Sequence, residues 1–265
     1  MAAVAVISAG IGAGAATAVN RLTLGDTATP AASQAPAASA VAPVEQVAAK
    51  VVPAVVKLQT DSGAELATGS GILLSQDGLI LTNDHVVSVP AAGSGDAPET
   101  RTVATLADGR VVPASVVATD PASDLAVVRA HGVSGLTAIT FGSSAQLHVG
   151  QNVVAVGSPL GLTGTVSTGI ISALHRPLPS RSGGSDSIAL PDAIQTDAAM
   201  NPGSSGGALV DMNGALVGVN CAIAVVGDNS GPGRIGSTGL GFAIPADHAK
   251  RVADALIASG TAPRA

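Results

Sequence analysis

Short apolar runs, each closed by a turn signal, recur from Val44 to Ile244 and predict a protein built mostly of β-strands. Val44 to Val51 has helical spacing and stops before Pro53; Ala54 to Thr60 then reads as a strand. Thr68 to Leu74 and Gly78 to Leu81 are separated by Gln76-Asp77-Gly78, a turn signal. Arg101 to Ala107 and Val111 to Thr119 flank Asp108-Gly109, which predicts a two-residue hairpin. Leu125 to Arg129, Asn152 to Gly157 and Thr165 to Leu174 continue in the same style. Asn213-Gly214 predicts a second such hairpin, between Ala208 to Asp211 and Ala215 to Asn220. The last strand, Leu240 to Ile244, leads into a helix from Ala246 to Ser259 that Gly260 ends. So many short strands indicate a sandwich or barrels, and closure into barrels hides strand edges.

The N-terminus is a different material. Ala2 to Val19 carries no charge and precedes Asn20-Arg21, so residues 1–25 read as a membrane anchor, or the remnant of an anchor or signal. The small-residue Ala16-Thr17-Ala18 suits a cleaved signal peptide, but the basic start of such peptides is absent. Residues 26–43 are Ala, Pro, Ser and Thr with almost nothing to bury, and read as a disordered linker. Extended at about 3 Å per residue, that linker reaches on the order of 50 Å. Residues 44–265 are the expected folded domain.

Composition narrows the function. Of 265 residues 46% are hydrophobic, yet Trp and Tyr are absent and only Phe141 and Phe242 are aromatic, so the core must be aliphatic. Net charge is −6 and no Lys/Arg cluster occurs, which sets nucleic-acid binding aside. The single Cys221 allows no internal disulfide and reads as a small buried residue. No histidine pair has metal-ligand spacing with a carboxylate, so no metal or cofactor is expected.

Candidate chemistry centres on Asp197 to Leu209, DAAMNPGSSGGAL. Gly203 can adopt a conformation closed to residues with a Cβ, aiming backbone N–H groups beside the Ser205 hydroxyl. A nucleophile beside such donors is what acyl transfer needs, because negative charge develops on the carbonyl oxygen. On its own, Gly-Ser-Ser-Gly-Gly reads rather as a plain turn joining two strands. Upstream, His85 follows an apolar strand end in LTNDHVV, and Asp124 precedes an apolar strand in DPASDLAVV. The order His, Asp, Ser suits two barrels, the first giving His85 and Asp124 and the second Ser205. Asp120, before Pro121, reads as a turn residue; His131, His148, His175 and His248 lack comparable context and read as ordinary side chains. An α/β-hydrolase elbow fails, since Ser205 leads into a hairpin and the acid and base precede it.

These blocks, with GSGILLSQDGLILTNDHVV, VVAVGSPLGL, TVSTGIIS and GLGFAIP, resemble the HtrA (Deg) family of chymotrypsin-fold serine proteases, most closely its actinobacterial PepD-type members. The blocks run in family order from about Val44 to Gly260. The resemblance implies an all-β fold of two antiparallel six-stranded barrels with a short C-terminal helix. It implies a serine endopeptidase of the cell envelope acting on unfolded or misfolded polypeptides, assembled as a homotrimer. His85 would be the general base, Asp124 its orienting acid, Ser205 the nucleophile, and the Gly203 and Ser205 N–H groups the oxyanion donors. A latent barrel acting as a chaperone is the alternative, with Ser180 to Asp192 and Gly227 to Thr238 as mobile loops.

Two features depart from the family pattern. Ser204 stands where Asn is usual, which adds a second hydroxyl; the following Gly-Gly favours Ser205 as nucleophile. Such proteins usually continue into a PDZ domain, whereas this chain stops at Ala265, so it is expected to be the catalytic part of a longer protein. Ala199, six residues before Ser205, puts no carboxylate where a basic P1 side chain would need one. Met200, Ile223 and Ala224 would line an apolar pocket for small aliphatic P1 residues.

Overall fold

The computed structural model describes residues 43–90, 100–179, 189–221 and 239–260. The proposed anchor, nearly all of the linker, and Ile223 and Ala224 lie outside the described residues. Helix α1 (Pro43–Val51) precedes the first barrel: β1 (Val55–Asp61), β2 (Leu66–Leu73), β3 (Leu79–Thr82), the one-turn α2 (Asp84–Val87), β4 (Arg101–Thr105), β5 (Val111–Asp120) and β6 (Leu125–Ala130). These six strands close antiparallel in the order β1-β2-β3-β6-β5-β4. The second half contains β7 (Thr140–Phe141), β8 (Asn152–Gly157), β9 (Thr165–Pro179), β10 (Ala189–Thr196), β11 (Ala208–Val210), β12 (Ala215–Cys221), β13 (Gly241–Pro245) and helix α3 (Ala246–Gly260). Here β8-β9-β10-β13-β12-β11 also close into a six-stranded antiparallel ring, with β7 added in parallel to β12. The two barrels and the C-terminal helix are the expected architecture.

Period-two alternation explains why the strands read as continuous apolar runs. On β6, Ala126 and Val128 fill the first barrel while Leu125 and Val127 face a layer shared with the second. On β8, Val153 and Ala155 fill the second barrel while Val154 and Val156 join that shared layer. Three aliphatic layers result: one inside each barrel and one in common, to which Val47 and Val51 of α1 and Ala246, Ala249 and Ala253 of α3 also contribute. Helix α3 thus buries mainly a stripe of alanines, with Val252 and Ile257 only partly covered. Among the described residues, no helix is long and apolar enough to cross a membrane.

Three local expectations are corrected. Both predicted two-residue hairpins are one residue longer: Leu106 bonds Arg110 and Asp211 bonds Ala215. Gly109 and Gly214 close these loops at φ +86° and +75°, the three-residue turn ending in a left-handed glycine. Strand β10 went unread because Pro191 and Asp192 interrupt its pattern, and register shifts between Leu190, Ala193 and Gln195 absorb them. Ala189 to Asp192, expected as loop, are therefore strand; the rest of both proposed mobile loops lies outside the described residues.

Leu125 is fully buried in the shared layer. Leu125→Ala is expected to lower stability by about 2–5 kcal/mol. Because the layer belongs to both barrels, chemical denaturation followed by circular dichroism should still show one transition.

Candidate active site

Asp124 occupies the end of the turn that joins β5 to β6, with φ +50°, a left-handed conformation that costs a non-glycine residue roughly 1 kcal/mol or more. Its surroundings hold it there. The Asn83 amide donates to its carbonyl at 2.8 Å, and the His85 backbone N–H to its Oδ1 at 3.1 Å. His85 Nδ1 lies 2.9 Å from Oδ1 and 3.0 Å from Oδ2. An ionised carboxylate only accepts, so Nδ1 carries the proton and Nε2 is left as the basic nitrogen. Cys221 Sγ completes the shell at 3.5 Å from Oδ2. The aspartate is 8% exposed, so these bonds act where water screens little.

The segment bearing Ser205 lies against the same place. Ser205, 5% exposed, accepts the Ser70 N–H at its carbonyl at 2.8 Å. That carbonyl and Val86, the residue after His85, lie together against Gly69. Gly206 donates its N–H to the Asn220 carbonyl at 2.8 Å, one residue from Cys221. Gly206 (φ +81°) abuts the Ser70 carbonyl, the Thr82 hydroxyl and Asn83 so closely that no Cβ fits. Gly207 meets the Val156 carbonyl in the same way. The paired glycines after Ser205 are thus demanded by backbone approach, while the hydroxyl of the buried Ser204 accepts the Asn201 N–H at 3.3 Å.

The turn also orients its peptide planes. Pro202 carbonyl accepts the Leu160 N–H at 2.9 Å, and Ser204 carbonyl accepts the Gly207 N–H at 3.0 Å. In a trans peptide the N–H points opposite its carbonyl, so the Gly203 and Ser205 N–H groups face away from those two bonds. Gly203 has φ +96°, and a Cβ there would come within 2.7 Å of the Ser158 carbonyl. The Ser204 N–H instead donates to Asn201 carbonyl at 2.9 Å.

Residues 69–219 match the trypsin-like peptidase domain. The chain belongs to that family. This trypsin-like peptidase is 56% identical to the serine protease PepD of Mycobacterium tuberculosis, over 99% of its own length and 58% of the relative's. It is 43% identical to a probable periplasmic serine endoprotease, DegP-like, of Chlamydia trachomatis, over 74% of this chain and 35% of that one. Among solved structures, the HtrA-type protease AlgW with a tripeptide superposes with a TM-score of 0.65 at 38% identity, covering 81% of this chain and 63% of that one. The peptidase chain therefore spans less than two-thirds of these relatives.

The remaining expected residues fall as follows. Ala199 is exposed, and its carbonyl accepts the Ser167 hydroxyl at 2.8 Å. Met200 is buried in the aliphatic layer of the second barrel, beside Gly241. Asp120 accepts the Ala122 N–H at 3.2 Å within the turn. His131 pairs with the Ser115 hydroxyl, and His175 with Asp192. Among the described residues, no group of three or more His, Cys, Asp or Glu side chains is placed to hold a metal.

Three residues touch this site without a sequence signal that would single them out: Cys221, His248 and Ser70. Ser70 does the most. Its hydroxyl donates to the Gly203 carbonyl at 2.7 Å and accepts the Ser158 N–H at 2.8 Å, while its own carbonyl accepts the Thr82 hydroxyl at 2.7 Å. Ser70→Ala leaves the Gly203 carbonyl and the Ser158 N–H without that hydroxyl. The expected loss is about 1–3 kcal/mol in urea unfolding, because desolvated polar groups are then left unpaired.

Proposed function

We propose that this chain is the catalytic domain of an extracytoplasmic serine endopeptidase that cleaves unfolded or misfolded polypeptides. The observation that carries the reading is the His85–Asp124 pair, assembled against the turn that bears Ser205. In this mechanism His85 Nε2 takes the Ser205 proton as the hydroxyl attacks the scissile carbonyl, and then returns it to the leaving amine. Asp124 fixes the imidazole tautomer and stabilises the imidazolium. The Gly203 and Ser205 N–H groups bind the oxyanion, and such a donor is typically worth about a hundred- to thousandfold in rate. Water then repeats the sequence on the acyl-enzyme.

The names of the relatives, serine protease and periplasmic serine endoprotease, support both the activity and the compartment. Membrane attachment through residues 1–25 and assembly as a homotrimer are further parts of the proposal; sedimentation of the intact chain tests the latter. Ala199 and Met200, with Ile223 and Ala224, are proposed to shape the P1 pocket. The nearby Asp197 is already engaged, its Oδ1 accepting the Ile170 N–H at 2.7 Å. Peptides with Val or Ala at P1 are therefore expected to be cleaved at least about tenfold faster than those with Arg, since a buried cation would lack a partner.

A fluorophosphonate probe is expected to label Ser205, as located by peptide mapping, and His85→Ala should abolish the label. Absence of label, with casein intact across about pH 6 to 9, would replace this reading with a latent, chaperone-like barrel.

A further inference from the structure

Ser123 immediately precedes Asp124 and is itself buried. Its hydroxyl lies 3.1 Å from Nε2 of His248, which comes from α3 at the far end of the chain. The other ring nitrogen, Nδ1, lies 3.4 Å from an Arg251 guanidinium nitrogen. Guanidinium only donates, so Nδ1 accepts and the proton sits on Nε2, which donates to Ser123 Oγ. The C-terminal end of the Asp120–Asp124 turn is thus held by Asn83 and His85 at Asp124 and by α3 at the adjacent Ser123.

We infer that His248 is a positioning residue for Asp124, acting through Ser123. The inference rests on the proposed role of Asp124. It requires the ring to be neutral, and its neighbours favour that form. Burial is the main cause holding the His248 pKa below the ordinary histidine value, with Arg251 of α3 adding to it. Asp120 on β5 and Asp192 on β10 oppose the shift. Asp247, its neighbour on α3, is occupied by the Ser143 and Ser144 hydroxyls and the Ala145 N–H. A cavity of about 340 Å³, lined in part by His175, Asp192, Asp247 and Arg251, lies beside the ring.

A depressed folded-state pKa means that protonation favours the unfolded chain. The stability due to neutral His248 is present above the unfolded value, about 6.5, and is lost as pH falls through the folded one. From pH 7.5 to 5, the intact chain should therefore lose more stability than its His248→Gln variant.

Two readouts test the positioning role in the full chain: the downfield proton resonance shared by His85 and Asp124, and the kinetics of fluorophosphonate labelling. The proton reports the pair whether or not the serine reacts. His248→Ala and Ser123→Ala are both expected to shift or broaden it. Both should slow the labelling step about tenfold with the probe's binding constant unchanged, since small misplacements of a catalytic group slow chemistry more than binding. His248→Gln keeps an N–H donor and should restore both readouts. In an Asp124→Asn background, His248→Ala should add nothing further.

If His248→Ala and Ser123→Ala leave both readouts unchanged while Asp124→Asn removes the resonance and strongly slows, without abolishing, the labelling, the positioning role is wrong and the triad stands. An undiminished His248→Ala effect in the Asp124→Asn background, or no rescue by Gln, would also overturn it by assigning a merely structural role. Wild-type labelling by Asp124→Asn would remove the triad reading and this inference together.

Discussion

Ser70 couples the two barrels at the point where their chemistry must meet. Each barrel has its own aliphatic interior, and the layer between them is also aliphatic. Apolar burial is strong but non-directional, so that layer holds the barrels together without setting their register to the accuracy a proton transfer needs. Hydrogen bonds supply the direction. Through one backbone N–H, one carbonyl and one hydroxyl, Ser70 connects the Ser205 carbonyl, the Gly203 carbonyl, the Ser158 N–H and the Thr82 hydroxyl. The turn that carries the proposed nucleophile is thereby tied to the strand that ends just before His85.

The same logic governs the proposed acid. Asp124 is held in a strained conformation by donors from three directions: Asn83 and His85 from the first barrel, Cys221 from the second, with His248 gripping the adjacent residue. Strain of this kind persists only where the neighbours over-determine the geometry. A carboxylate accepting several bonds in a poorly screened place is also a fixed negative pole, which is what the proposed role beside the imidazole asks of it.

Much of this was readable along the chain. Apolar runs and Asp-Gly or Asn-Gly signals located most strands, because strands buried on both faces leave a continuous apolar signature. His85 and Asp124 stood out beside the ends of apolar strands, and Ser205 through the glycines on either side of it. Strand β10 was hidden by Pro191 and Asp192, whose cost the bulges absorb. The roles of Ser70 and His248 were not legible. Their partners Gly203 and Ser123 lie 133 and 125 residues away, and neither a lone serine in a strand nor a lone histidine in a helix announces such a partner.

An interior built almost wholly from aliphatic side chains has an optical consequence. With no indole or phenol anywhere in the chain, the protein absorbs almost nothing at the wavelengths by which most proteins are seen, and emits none of the usual intrinsic fluorescence. Phe141 packs at the margin of the shared layer, with the Lys250 ammonium 5.8 Å from its ring. An indole placed there would glow against a dark background, and its colour would follow the wetting of the joint between the barrels.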